Sequence, residues 1–303
     1  MINSSTYTKL GKQKKIIFFF FIGLLFILGI RACITPGVDE GKNLLKEIQK
    51  IATQELSNQG VDYSVLIKDL RVTNKKHYFG VRKQFPAASL IKLPILAAAL
   101  IAIDEGKISL QEKIVIRRKD ISGGSGKLKA YKLPHTLTVK ELLELMISIS
   151  DNTASNKIID ILGFDYLEKA FKNLKLEDTV LARKLMDFSL RAKGVENYTS
   201  AFDVAFILEG LYNHSIASKE LCELSLGFLK NQKVKDRLPK HLPENIALAH
   251  KTGLERGVVH DAGIVFTGSS DYLICVLVKN ERSYSKAKKF IALVSLLTYN
   301  LYH

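Results

Sequence analysis

Residues 146–163 read MISISDNTASNKIIDILG, and they put a sharp break inside an otherwise helical run. Upstream, Thr138-Val139-Lys140-Glu141 supplies a capping box, in which a threonine and a glutamate satisfy each other's free backbone N–H groups. Leu142, Leu143, Leu145 and Met146 then mark the apolar face of a helix that stops near Ser150. Downstream, a second helix runs from Asn152 to Leu162 and ends at Gly163. Ser150-Asp151-Asn152 occupies the break, where such residues routinely stop one helix and cap the next. The stretch therefore belongs to a helical block, and the fold depends on what surrounds it.

On the N-terminal side, residues 39–57 form an amphipathic helix with Leu44, Leu45, Ile48, Ile51 and Ala52 on one face. Tyr63 to Leu70 and Lys76 to Phe79 alternate as a strand pair around Val72-Thr73-Asn74. A long apolar helix follows from Ser89 to Asp104, closed by Glu105-Gly106, and the Gly/Ser-rich stretch Ser122 to Gly126 leads to the block. On the C-terminal side, residues 176–200 lack periodicity and read as a structured loop. Helices resume at 201–213 and 217–230. Three strands follow at 246–251, 260–267 and 271–279, with a turn at Gly268-Ser269-Ser270-Asp271, and a last helix starts near Ser283. Strands at both ends and helices between them predict an α/β (α+β) fold. One antiparallel sheet is built from both chain ends and flanked by helices, with an all-helical subdomain inserted.

Three short motifs carry chemistry. In Ser89-Leu90-Ile91-Lys92 a spacing of three puts a hydroxyl and an amine on one helical face. A hydroxyl becomes a nucleophile when a neighbouring base takes its proton, and a desolvated lysine can be that base. The alternative is a capping serine beside a snorkelling lysine. In the break, Ser150 could pass a proton and the Asn152 amide could bind substrate or hold the lysine. Lys251-Thr252-Gly253 ends the strand that begins at Ile246. There a cation and a hydroxyl, with a glycine that lets backbone come close, make an edge suited to a carboxylate.

In order and separation, the three motifs resemble those of the penicillin-recognising serine enzymes. The flanking text, MISISDNTASNKIIDILG at 146–163, VKDRLPKHLPENIALAHKTG at 234–253 and HDAGIV at 260–265, resembles class A β-lactamases. The resemblance covers residues 40–303. It implies a β-lactamase/transpeptidase-like fold with the site between sheet and helical subdomain. It also implies a serine hydrolase that opens β-lactams, the chemistry of antibiotic resistance. By motif match, Ser89 is the acyl-forming nucleophile, Lys92 its proton acceptor or relay, and Ser150 the shuttle to the lactam nitrogen. Asn152 contacts substrate and lysine, Lys251, Thr252 and Gly253 form the carboxylate edge, and the N–H groups of Ser89 and Leu254 make the oxyanion hole.

One departure stands out. Class A enzymes clear the acyl-enzyme with a loop glutamate followed four residues later by asparagine, and no acid between 160 and 205 has that asparagine. Asp187, in RKLMDFSLRAKGVENYTS, falls where the glutamate is expected. It is either the deacylating base or a loop-stabilising partner of Arg183 or Arg191. With slow deacylation, the same site is that of a peptidoglycan DD-peptidase or penicillin-binding acyl-serine hydrolase acting on a stem peptide.

Composition sets the surroundings. The 303 residues are 47% hydrophobic and 25% charged, which excludes disordered and fibrous classes. Three cysteines cannot build a disulfide framework, and Cys222 and Cys275 sit in apolar text as core thiols. Seven histidines show no metal spacing, and neither a metal nor another cofactor is expected. His260 or Arg256 could assist carboxylate binding, or the histidines flanking the third motif could be scaffold. Of the formal charge of +15, five basic residues fall in 1–37, which has no acid. There Lys9, Lys12, Lys14 and Lys15 precede the uncharged run IIFFFFIGLLFILGI at 16–30. A basic flank before an apolar run is an export signature, so 1–37 reads as a cytoplasmic tail and membrane anchor or signal segment. The segment could be retained, lipidated at Cys33 or cleaved. Residues 38–303 are then an extracytoplasmic catalytic domain, in the periplasm or at the cell surface, expected to be a monomer. Nucleic acid is not an expected partner, since no binding motif accompanies the charge.

Overall fold

Ile274, Val276 and Val278 point to one side of the last strand and Leu273, Cys275 and Leu277 to the other, and all six are buried. A strand apolar on both faces belongs at the centre of a sheet with both faces covered. The computed structural model describes residues 38–57, 60–72, 76–268 and 270–303. The segment 16–30, Cys33, the Thr73-Asn74 turn and Ser269 lie outside them, and the division expected at 37/38 falls at their edge. In chain order the sheet strands are β1 (Asp62–Asp69), β2 (Lys76–Phe79), β7 (Ala247–Glu255), β8 (Val258–Phe266) and β9 (Tyr272–Lys279). They form a five-stranded sheet in the order β2-β1-β9-β8-β7. Every pairing is antiparallel, with Val65 opposite Val276 and Ala262 opposite Cys275. The sheet is thus built from both ends of the described chain.

One face packs against α1 (Val38–Glu55) and α9 (Tyr284–Tyr302), through Leu44, Ile48, Phe290, Ile291 and Val294. The other packs against the helical block. That block comprises α2 (Lys92–Asp104), α3 (Val139–Ser148), α4 (Asn152–Leu162), α5 (Phe164–Asn173), the short α6 (Phe188–Ala192), α7 (Ala201–Tyr212) and α8 (Lys219–Lys230). Two small ribbons, β3 (Phe85–Pro86) with β6 (Tyr198–Thr199) and β4 (Lys113–Ile116) with β5 (His135–Thr138), stitch its edges. Among the described residues no helix is long and apolar enough to cross a membrane.

Helix boundaries follow local chemistry. Thr138 caps α3 by accepting the Glu141 N–H at 3.2 Å, and Glu141 returns the bond to the Thr138 N–H at 2.7 Å. Asp151 caps α4, which ends at Gly163 with φ +79°, a value glycine adopts freely. Near the site, boundaries differ from the sequence reading. The helix expected from Ser89 opens as a tight 3-10 turn, Ala88–Ile91, because Ala88 turns the chain at φ +45°. The strands expected at 246–251 and 260–267 reach to Glu255 and start at Val258. Arg256-Gly257 alone makes their turn, with Gly257 at φ +71°. Lys251-Thr252-Gly253 therefore lies inside β7 and not at its end.

Candidate active site

Helix α2 is apolar all round: Leu93, Ile95, Leu96, Ala97, Ala98, Ala99 and Leu100 are fully buried, as expected for a helix at the heart of a domain. Lys92 at its first turn is enclosed with them, 0% exposed. A buried ammonium needs partners on every hydrogen. Lys92 Nζ donates to Ser150 O at 2.6 Å, to Ser150 Oγ at 2.9 Å and to Asn152 Oδ1 at 2.8 Å. The break between α3 and α4 supplies all three acceptors, with Ser150 held at φ +58°.

Lys251, also fully buried, reaches the same hydroxyl from β7. Its Nζ donates to Ser150 Oγ at 3.0 Å and to Thr252 O at 3.0 Å. One hydroxyl thus lies between two enclosed lysines, each of which disfavours the other's charge. Burial, with the charge of Lys251 second, holds Lys92 well below the usual lysine range, against the attraction of Asp151. Burial also brings Lys251 down to about 7, with Asp261 opposing and Arg237 adding to the fall.

The Ser122–Gly126 stretch forms the far wall. Asp151 Oδ2 accepts the Lys127 and Leu128 N–H groups at 2.7 and 3.0 Å, and Oδ1 the Ala154 N–H at 3.0 Å. Gly126 sits at φ +117°, and a β-carbon there would come within 2.2 Å of Asp151 Oδ2. Asn152 Nδ2 donates to Gly123 O at 2.9 Å, so its amide spans from the wall to Lys92. Gly253 lets β7 approach the Ser89 turn: a β-carbon there would meet His260 Cδ2 at 3.1 Å and Ala88 Cβ at 3.4 Å.

Between these elements lies a cleft of about 440 Å³. Ser89, Gly124, Ser125 and Asn152 line one part of it, Leu254, Glu255 and Arg256 another, and Leu185, Met186 and Phe188 of the loop a third. Ala88, Ser150 and Met186 all have φ between +45° and +67°. Such backbone strain in non-glycine residues gathers where function requires a fixed geometry. Among the described residues no group of three or more His, Cys, Asp or Glu is arranged to hold a metal ion.

Asp187 is placed differently from either expectation. Its carboxylate accepts the Leu190 N–H at 3.0 Å and caps α6. Arg183 and Arg191 pair instead with Glu196 and Glu255. Arg183 Nη2 lies 2.5 Å from Glu196 and 3.4 Å from Glu255, and Arg191 lies 3.3 Å from Glu196 and 2.6 Å from Glu255. These four charges tie the loop to the end of β7. Asn197 closes the loop's neck by accepting the Ala182 and Arg183 N–H groups at 2.8 and 3.0 Å. Sequence reasoning missed both Leu185 and this quartet, since no local pattern marks charges that meet only in the fold.

His260 is a scaffold residue. The Val278 N–H donates to His260 Nδ1 at 3.2 Å and His260 Nε2 donates to Pro86 O at 2.9 Å. Burial pushes His260 down to about 4. His250 is held by Asp261. Cys222 and Cys275 are free and buried, and burial raises both thiols. Arg256 does line the cleft.

The β-lactamase enzyme family model matches residues 43–302. β-Lactamase VEB-1 of Pseudomonas aeruginosa is 24% identical over 92% of this chain and 97% of its own length. Among solved structures, a β-lactamase from Sphaerobacter thermophilus superposes with a TM-score of 0.78 at 27% identity, covering 86% of this chain and 96% of that one. A mutant of PBP-A, described as an acyl-enzyme complex with penicillin G, gives 0.77 at 31% identity over 86% and 96%. With a match across nearly all the described residues and a buried lysine–serine–lysine cluster between sheet and helices, the chain belongs to the β-lactamase enzyme family.

Proposed function

We propose that the chain opens β-lactam amides through an acyl-Ser89 intermediate. The observation that carries this reading is the hydroxyl of Ser150 between two buried lysines, 2.9 Å from Lys92 and 3.0 Å from Lys251. Lys92, whose neutral form is favoured by its enclosure, takes the Ser89 proton as Oγ attacks the lactam carbonyl. The N–H groups of Ser89 and Leu254 receive the developing oxyanion. As the C–N bond breaks, Ser150 gives its proton to the lactam nitrogen and recovers one from Lys92. Lys251, charged below about pH 7, and Thr252 hold the substrate carboxylate. Asn152 orients Lys92 and the substrate amide.

The loop sets the fate of the acyl group. Release needs a base beside a water, yet the loop presents Leu185 and Met186 to the cleft. Glu196 and Glu255 are bound to arginines, and Asp187 caps a helix. This favours a second reading, a penicillin-binding serine peptidase of peptidoglycan stem peptides that lactams acylate and leave slowly. We also place the catalytic domain outside the cytoplasm, anchored by residues 16–30, on the strength of the lysine flank and apolar run.

Full-length protein mixed with a chromogenic cephalosporin separates the readings, with turnover and intact mass followed together. Sustained turnover lost in Ser89→Ala supports the hydrolase, and a one-equivalent burst with a lasting adduct supports the peptidase. Absence of any adduct or turnover overturns both.

A further inference from the structure

Side chains alternate along β7, so Lys251 faces the helical block and the Ser89 cleft while its neighbour His250 faces the opposite side. Along the free edge of β7, which His250 also reaches, lies a separate cavity of about 600 Å³ between the end of α8 and the start of β7. Lys230, Lys235 and Lys240 line it with one carboxylate, Glu244, over an apolar floor that includes Leu242. Lys235, Lys240 and Glu244 make no ion pair among the described residues. The Lys230 ammonium lies 4.2 Å from the centre of the Phe266 ring.

His250 adds an independent sign. It is 3% exposed and its Nδ1 lies 2.9 Å from Asp261 Oδ1. Asp261 is itself fixed, its Oδ2 accepting the Leu238 N–H at 3.1 Å. A carboxylate on Nδ1 fixes the ring and leaves Nε2 as the working nitrogen. Among the described residues Nε2 has no hydrogen-bond partner, although His250 forms part of the cavity wall. Nε2 is not sealed from solvent, so it can be reached from the cavity. Nothing in the proposed reaction uses this imidazole.

We propose that this cavity is a second binding site, for a phosphate group, with Lys235, Lys240 and Lys230 as its cationic wall and His250 Nε2 as its inner contact. Three lysines against one glutamate suit a dianion. The imidazole serves either a P–OH, as acceptor, or a phosphate oxygen, as imidazolium donor. The phosphate can be free or can belong to a diester such as a lipid headgroup or an envelope polymer; both offer the same oxygens and differ in charge.

Calorimetric titration of the full-length protein in detergent tests the site, with inorganic phosphate as one probe and glycerophosphoglycerol, a soluble diester, as the other. Sodium chloride at matched ionic strength is the control. Saturable binding of phosphate or diester, absent with chloride, is expected. It should weaken about tenfold or more in Lys235→Gln/Lys240→Gln, where two exposed charges are removed. A melting temperature unchanged in phosphate-free buffer shows that this variant is folded. Phosphate should also shift the His250 Nε2 resonance. Tighter binding of phosphate assigns the free dianion, and tighter binding of the diester assigns the lipid or polymer. Heat identical to that of chloride, or saturable binding that survives the double variant, overturns the proposal.

Discussion

Asn156 holds Leu185 by both faces of its amide, accepting the Leu185 N–H at 2.8 Å and donating to the Leu185 carbonyl at 3.0 Å. A side chain in α4 thus fixes the backbone of the loop residue that lines the Ser89 cleft. The position is rigid, faces the reacting centre and carries a hydrocarbon. Leu185→Glu puts a carboxylate there without disturbing the two backbone bonds. The penicillin adduct on the variant should decay about tenfold faster or more, the lower range for general-base catalysis. Intact-mass measurements over time read the lifetime directly.

Asp187→Asn should change that lifetime by less than about twofold, because asparagine caps a helix nearly as well as aspartate and the native carboxylate is occupied by the Leu190 N–H. A large change would place Asp187 in the reaction after all.

Capture of substrate should fail on the alkaline side. Lys251 loses its proton near pH 7, and an uncharged amine binds a carboxylate poorly. The kcat/KM of acylation, which reports the free enzyme, should fall about tenfold per unit above that point. Lys251→Arg, whose guanidinium stays charged, should flatten this limb whatever it does to the maximum rate. Stopped-flow labelling with a fluorescent penicillin across pH 6–10 provides the profile.

Acid should destabilise the fold through His260. In the unfolded chain its imidazole takes a proton near 6.5, whereas in the fold it resists until about 4. The unfolded state therefore binds more protons between those values, and stability declines as pH falls through that window, by about 3 kcal/mol in all. Above about 6.5 this contribution is constant. Urea unfolding of the wild type and of His260→Gln at intervals of pH measures the slope, which should be shallower in the variant by this contribution.

The break at Ser150 and the sheet made from two chain ends were legible because each has a local cause: the Thr138 box, the Asp151 cap, the apolar run around Val276. The residues meeting at Ser150 could be named because short motifs carried them. The loop could not be read. Whether Asp187 or Leu185 turns toward the cleft depends on Asn156, 29 positions from Leu185, and the pairing of Arg183 and Arg191 depends on Glu255 in β7, 72 positions beyond Arg183. Ungapped counting pointed to Asp187, which caps α6, while Leu185 lines the cleft, and the grip of Asn156 leaves no mark on the residues beside Leu185.

The sheet order has a consequence for how the molecule is made. β1 pairs along one edge with β2, and along the other with β9, the last strand to be synthesised. A chain emerging from its N-terminus carries Ser89, Lys92 and Ser150 long before their sheet exists, and Lys251 arrives only with β7. Closing such distant pairings is slow and comes late. Until β9 slides in beside β1, the segment bearing Ser89 has no floor to stand on and no second lysine opposite. A chain halted during synthesis or transport, before Tyr272, should therefore be invisible to a labelled penicillin, and the label would count only finished molecules.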